Sequence, residues 1–278
     1  MNATNARVLL TGAGGGIGQA IATALAHAGA SLLLTSRSPA RLSAQARALQ
    51  QRLPGAQVEW HEADLQHSAS IALLAGKAAD WQCNVLVHCA GVAEFGRFEN
   101  TDADTMSRLL NTNLLAPMLL TQALLPHLRT LPQAQVICVG SVLGAMGLPG
   151  FSVYCASKFG LRGFAQALRR ELADTAVRVQ YLGPRSTRTA FNSAQATDYN
   201  QATGTTMDSP EVVAQALLRM LQAGTAERFL GWPEKLGVRV NGVLPTLLDG
   251  AFTKHRASLP GLSINPADTG NEEMKNAH

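Results

Sequence analysis

RVLLTGAGGGIGQAIATALAHAGASLLLT, residues 7–35, changes its hydrophobic period twice. RVLLT (7–11) is an apolar run of strand length, residues 17–29 follow helical periodicity and end at Gly29, and SLLLT (31–35) is apolar again. Neither short run alternates with polar residues, as a strand with one wet face would, so both read as parallel strands covered on two sides. Parallel neighbours need a crossover, and the helix supplies one in the right-handed sense. The stretch is a βαβ unit, with a glycine-rich turn, TGAGGGIG (11–18), where the first strand hands over to the helix.

The alternation continues outward. Further strands are expected at 57–61 (QVEWH), 84–89 (NVLVHC), 135–140 (QVICVG), 177–182 (VRVQYL) and 228–231 (RFLG). Helices are expected at 39–52, 68–78, 102–128, 152–174 and 209–222. Two of these open on Ser38-Pro39 and Ser209-Pro210-Glu211, which supply a capping hydroxyl and a preset φ. The pattern predicts an α/β protein: a Rossmann-type, doubly wound, mostly parallel seven-stranded sheet with helices on both faces. With no break in composition, residues 1–257 read as a single domain. Within it, 185–208 lacks periodicity and reads as a substrate loop, or lid. The span 235–257 reads as a helical extension, with Leu236, Val240, Leu244, Leu247, Leu248 and Ala251 at helical spacing around Pro245. Residues 258–278 read as a disordered tail.

Of the 278 residues 46% are hydrophobic and 15% charged, enough to bury a sizeable core. The net charge of +4 is scattered, with no basic stripe for nucleic acid. Seven histidines form no HxxxH or HExxH pair, so no metal site is expected, and four cysteines form no CxxC. No apolar run reaches the ~18 residues of a membrane span. The chain therefore reads as a soluble cytoplasmic protein with reduced thiols.

A glycine turn between strand and helix is where a dinucleotide pyrophosphate docks on helix N–H groups. The alternative is an ordinary tight turn. The spacing of Gly12, Gly16 and Gly18 departs from GxGxxG, because Ile17 holds the place of the third glycine. After the second strand, Ser36 stands where an NAD site would carry an acid, and Arg37 follows. An arginine there suits a 2′-phosphate, which favours NADP(H) with NAD(H) as the alternative, unless Arg37 is merely an exposed loop residue.

SVYCASKFG (152–160) places Tyr154 and Lys158 one helical turn apart, on one face. Alone this is an ordinary helix surface. The set of TGxxxGxG at 11–18, Asp64-Leu65, Cys89-Ala90-Gly91, Asn113, Ser141 and YxxxK, in that order, resembles the short-chain dehydrogenase/reductase family over residues 7 to 231. The resemblance implies an oxidoreductase interconverting a ketone or aldehyde, lipophilic or acyl in nature, with an alcohol, and a homodimer or homotetramer. It implies Tyr154 as general acid/base, Lys158 on the nicotinamide ribose and lowering the tyrosine pKa, and Ser141 on the substrate carbonyl. Asn113 would hold a water linking Lys158 to solvent. The cofactor would contact Gly12, Gly15, Gly16, Ile17, Gly18, Ser36, Arg37, Asp64, Leu65, Ala90, Gly91, Tyr154, Lys158 and Pro184, with Thr187 or Thr189 at the carboxamide. Asp64 would meet the adenine amino group, or else cap the helix near Ser68.

The chain departs from the family at two points. Cys89 replaces the second asparagine of Asn-Asn-Ala-Gly, and Gly183-Pro184 inverts the usual Pro-Gly step. Three other readings remain. A non-catalytic NADP(H)-binding redox sensor would not need the intact Ser141, Tyr154 and Lys158. An epimerase would want TGxxGxxG, and a serine hydrolase a GxSxG elbow. The apolar C-terminal helices suit packing, an acyl substrate or a membrane-facing surface.

Overall fold

β1 (Arg7–Thr11) lies parallel to β2 (Ser31–Ser36), with Leu9 opposite Leu33, and α1 (Gly16–His27) crosses between them. The computed structural model describes residues 1–261. The winding continues through α2 (Pro39–Arg52), β3 (Val58–Glu62), α3 (Ser68–Asp80) and β4 (Val85–His88). Then come α4 (Ala103–Leu110), α5 (Ala116–Thr130), β5 (Ala134–Val139), α6 (Ser152–Glu171) and β6 (Val177–Gly183). α7 (Ala194–Thr203), α8 (Pro210–Ala223) and β7 (Glu227–Phe229) complete the winding, and α9 (Glu234–Val243) and α10 (Thr253–Ala257) end the described chain. All seven strands are parallel, in the order β3-β2-β1-β4-β5-β6-β7. The winding direction reverses between β1 and β4, which opens a crevice beyond their C-terminal ends.

Successive strand residues serve opposite faces, so the sheet has two cores. Val8, Leu10, Leu32 and Leu34 pack under α1, α2 and α8 through Ile21, Leu42 and Leu217. Leu9, Leu33, Leu86 and Val136 pack under α3, α5 and α6 through Leu74, Leu124 and Leu161. Each such leucine contributes roughly 1.5–3 kcal/mol of burial, and this rigid slab is what aims the loops of the crevice.

The expected helix 102–128 is two helices joined by a π turn over Asn111–Leu115. Pro117 has no N–H for the Asn113 carbonyl, and its ring would collide with that carbonyl in a continuous α-helix; the wider turn relieves both. The aperiodic segment 185–208 contains α7, opened by Ser193, whose hydroxyl accepts from Ala196 N–H, and closed by Gly204 at φ 71°. Its inward residues are few, Ala196, Tyr199 and Asn200, so the helix left little pattern to read. Residues 258–261, expected as the start of a disordered tail, are seated. Leu259 packs near Phe95, and Arg97 Nε donates to the Pro260 carbonyl at 2.7 Å. The rest of that expectation, 262–278, lies outside the described residues. Pro245 divides the C-terminal extension, between α9 and a 3₁₀ segment Pro245–Phe252. Among the described residues no helix is long and apolar enough to cross a membrane.

Candidate active site

The glycine turn is shaped by contacts that forbid side chains. A Cβ on Gly12, at φ +67°, would stand 2.6 Å from Ala90 Cα, and one on Gly18 would stand 2.2 Å from the Gly12 carbonyl oxygen. A Cβ on Gly16 would stand 2.6 Å from the Thr189 methyl. At Gly14 and Gly15 a Cβ would meet only ordinary contacts, the nearest at 3.4 Å. The N-cap of α1 is Gly15, which has no side chain to cap it, so the N–H groups of Gly16, Ile17 and Gly18 have no helix partner. A cradle of free N–H groups at a helix N-terminus fits a pyrophosphate.

From this turn a cleft of about 830 Å³ runs along the C-terminal ends of the strands. At one end Ser36, Arg37 and Asp64-Leu65 line it, and Arg41 joins them from the first turn of α2. Arg41 was missed in the sequence; its signal is the four-residue spacing from Arg37. Asp64 does not cap α3. Its Oδ1 accepts from Gln66 N–H at 3.0 Å, and the residue before α3 is His67, without a capping bond. The buried Thr35 hydroxyl beside this end has no partner.

At the other end Ser141 follows β5, and α6 presents Tyr154 and Lys158 on one side, all three lining the cleft. Ser141 Oγ accepts from Leu143 N–H at 3.0 Å, which leaves its own proton free to donate. Tyr181, read from the sequence only as a strand residue, holds Ser141 in place. Its hydroxyl accepts from Ser141 N–H at 3.0 Å and donates to the Ser141 carbonyl at 2.8 Å. Lys158 Nζ lies 5.7 Å from the Tyr154 ring centre and donates to the Val139 carbonyl at 3.3 Å. Asn113 lies behind the cleft. Its Nδ2 donates to Val92 O at 2.8 Å and Ser157 Oγ at 3.0 Å, and its Oδ1 accepts from Val92 N–H at 2.9 Å. Both amide protons are thus committed to protein.

Burial pushes the Tyr154 phenol above its ordinary value, Ser141 opposing and Cys155 reinforcing. Burial also lowers the Lys158 pKa to about 8, because its ammonium is desolvated. The chain's own groups thus keep the phenol protonated, the form that donates.

The departures also have local explanations. Where the family has asparagine, Cys89 N–H and Ala90 N–H both donate to the Thr11 hydroxyl, at 3.0 and 3.1 Å, so β1 and β4 are tied at their ends by Thr11. Burial pushes the Cys89 thiol up to about 12 and raises Cys155, so neither is a reactive thiolate at neutral pH. Gly183 lies under Phe229, and Pro184 lines the cleft. The Thr187 hydroxyl donates to Arg185 O, whereas Thr189 packs on Gly16. Ala90 lines the cleft beside Gly91, which faces Lys158 Nζ. Arg185 pairs with Asp208 at 2.8 Å and Glu234 at 3.4 Å, tying β6 to the lead of α8 and to α9. The wall beyond Tyr154 is apolar and aromatic: Met146, Leu148, Phe151, Phe191 and Phe252.

Residues 6–200 match the family described as short chain dehydrogenase. The chain is 30% identical over 269 residues to the ketoacyl reductase HetN of Nostoc sp., covering 90% of this chain and 88% of that protein. A metagenomic short-chain oxidoreductase solved with NADP is 30% identical with a TM-score of 0.68, over 81% of this chain and 96% of that one. A short chain dehydrogenase/reductase from Burkholderia phymatum, solved with NAD, superposes with a TM-score of 0.80 over 95% of this chain and all (100%) of that one. At 20% identity it shows likeness of fold alone.

Proposed function

The chain belongs to the short-chain dehydrogenase/reductase family, and from that premise we propose that it is an NADP(H)-dependent oxidoreductase interconverting a carbonyl and an alcohol. The observation that carries the reading is convergence: Ser141, Tyr154 and Lys158 line the same cleft as the open glycine turn. When bound, a reduced nicotinamide supplies the hydride. The Ser141 hydroxyl hydrogen-bonds the substrate carbonyl oxygen and keeps its proton, while Tyr154 gives its phenolic proton to that oxygen as charge develops. Lys158 holds the ribose and supplies the positive field that stabilises the resulting phenolate. Tyr154 regains its proton from solvent, relayed through water near Asn113 and through Lys158.

Arg37 and Arg41 at the Ser36 end support a 2′-phosphate, hence NADP(H) over NAD(H). Asp64 receives the adenine amino group, and Thr189, facing Gly16, takes the carboxamide role rather than Thr187. The apolar wall around Phe151 and Phe191, with the ketoacyl reductase among the relatives, supports a lipophilic or acyl carbonyl. α7 and its flanks at 185–208 serve as the substrate lid. Exposed Leu110, Leu115, Met118 and Phe159 support a homodimer or homotetramer. The four free cysteines suit a cytoplasmic setting.

A panel of aliphatic, acyl and steroidal carbonyls, assayed by NADPH absorbance and in parallel with NADH, tests the reading. Turnover on at least one class is expected, and Tyr154→Phe should lower it by ~100-fold or more while NADPH binding stays near normal. NADPH binding with no reduction of any carbonyl would favour the alternative, a non-catalytic redox-sensing regulator.

A further inference from the structure

The C-terminal extension has two dissimilar sides. α9 turns inward Val238, packed with Val142 and Ala145, and Asn241, whose Nδ2 donates to the Ala145 carbonyl at 2.9 Å. Glu234 on the same side reaches Arg185 at 3.4 Å. These contacts fix what faces outward: Lys235, Leu236, Arg239 and Val243, which share the opposite side at helical spacing. Trp232, Leu244 and Leu247 extend it, with Trp232 70%, Val243 78% and Leu247 66% exposed. So many large apolar side chains on one solvent-facing stretch mark a contact surface. Cations border it. Lys235 and Arg239 stand among the apolar residues, and Lys254 and Arg256 follow on α10; among the described residues none of the four pairs with a carboxylate. The same extension sends Pro233, Glu234, Phe252 and His255 to the wall of the cleft.

We propose that this surface seats the protein on an anionic lipid bilayer. Leu236, Val243, Leu244 and Leu247 enter the boundary between headgroups and acyl chains, Trp232 sits at headgroup level, and the cations meet lipid phosphates. The cleft mouth then opens beside the membrane, where a lipophilic molecule enters without crossing water. A second copy of the chain fits this surface less well, because a twofold contact brings Lys235 and Arg239 toward their own counterparts.

The test is flotation of the full-length chain with equimolar phosphatidylcholine–phosphatidylglycerol vesicles against phosphatidylcholine alone. It involves no turnover, so it stands or falls separately from the enzymatic reading. Binding to the anionic vesicles at least ~10-fold tighter is expected, weakening with salt. Lys235→Glu with Arg239→Glu should abolish that preference, and Leu244→Ser with Leu247→Ser should reduce binding at least ~10-fold. Because these side chains are exposed, melting temperatures of the variants should match the parent. Absence of vesicle binding overturns the proposal, as does a dimer in light scattering that Leu247→Glu dissociates.

Discussion

The Tyr181 hydroxyl bonds both backbone groups of Ser141, accepting from its N–H at 3.0 Å and donating to its carbonyl at 2.8 Å. A side chain on β6 thereby sets the height of a hydroxyl after β5. Tyr181→Phe keeps the ring and removes only the clamp, leaving the buried Ser141 N–H unpaired while its carbonyl keeps the Gly144 N–H at 3.0 Å. The cost is about 1–3 kcal/mol in stability for the unsatisfied N–H. Turnover should fall ~10-fold or more, since sub-ångström displacement of a catalytic donor is expensive, while NADPH affinity is unchanged. Steady-state kinetics beside direct cofactor titration separates these; equal turnover in the variant would make the clamp a packing feature only.

The same phenol explains two glycines. A Cβ on Gly140 would stand 2.1 Å from the Tyr181 ring and hydroxyl, and one on Gly144 2.2 Å from the hydroxyl. Gly140→Ala should therefore destabilise by about 1–3 kcal/mol as overpacking. In a Tyr181→Ala background the obstacle is gone, so the second substitution should cost under about half of that. Urea unfolding of the four proteins checks it, and additive costs would place the conflict elsewhere.

His88 gives a pH-dependent outcome. It is fully buried with Nε2 2.8 Å from the Thr121 hydroxyl, and burial lowers its pKa from 6.5 to about 3. The unfolded chain takes up this proton near pH 6.5 and the folded chain only near 3, so the unfolded state binds more protons across that window. The contribution is complete above the upper limit and is lost as pH falls through the window. His88→Asn, which removes the titrating ring, should flatten the loss. Urea midpoints at neutral pH and about pH 4.5 should differ less in the variant; an unchanged difference would assign the acid sensitivity to other groups.

What the sequence disclosed and what it hid follow from how each residue does its work. Parallel strands buried on both faces must be largely apolar, so RVLLT and SLLLT announced themselves, and the sheet order follows from winding rules. Gly12 and Gly18 were legible because backbone contacts at those points exclude any Cβ. Tyr181 was not, because a tyrosine in an apolar strand looks like core until its hydroxyl partner on another strand is known. α7 was hidden by its composition, with only Tyr199 and two small inward neighbours holding it to the body. The break at Asn111–Leu115 was signalled by Pro117, whose effect on a helix depends on which carbonyl it confronts.

Arg37 and Arg41 provide the test of cofactor choice. Both line the end of the cleft at Ser36, and both are exposed, so they hold no part of the core. A 2′-phosphate there would be met by two guanidiniums, each able to give paired N–H donors. Replacing one should leave the other to compensate, and the effect should be less than multiplicative. Arg37→Asp also introduces a carboxylate that repels the phosphate and accepts from a ribose 2′-hydroxyl, so it acts on both sides of the preference. The expected outcome is a shift of the NADPH-to-NADH ratio of kcat/KM by ~10–100-fold, about 1.4–2.8 kcal/mol, with a larger shift when Arg41→Ala is added. If the ratio moves with neither substitution, the two arginines are ordinary surface cations, and the 2′ position is read by other groups.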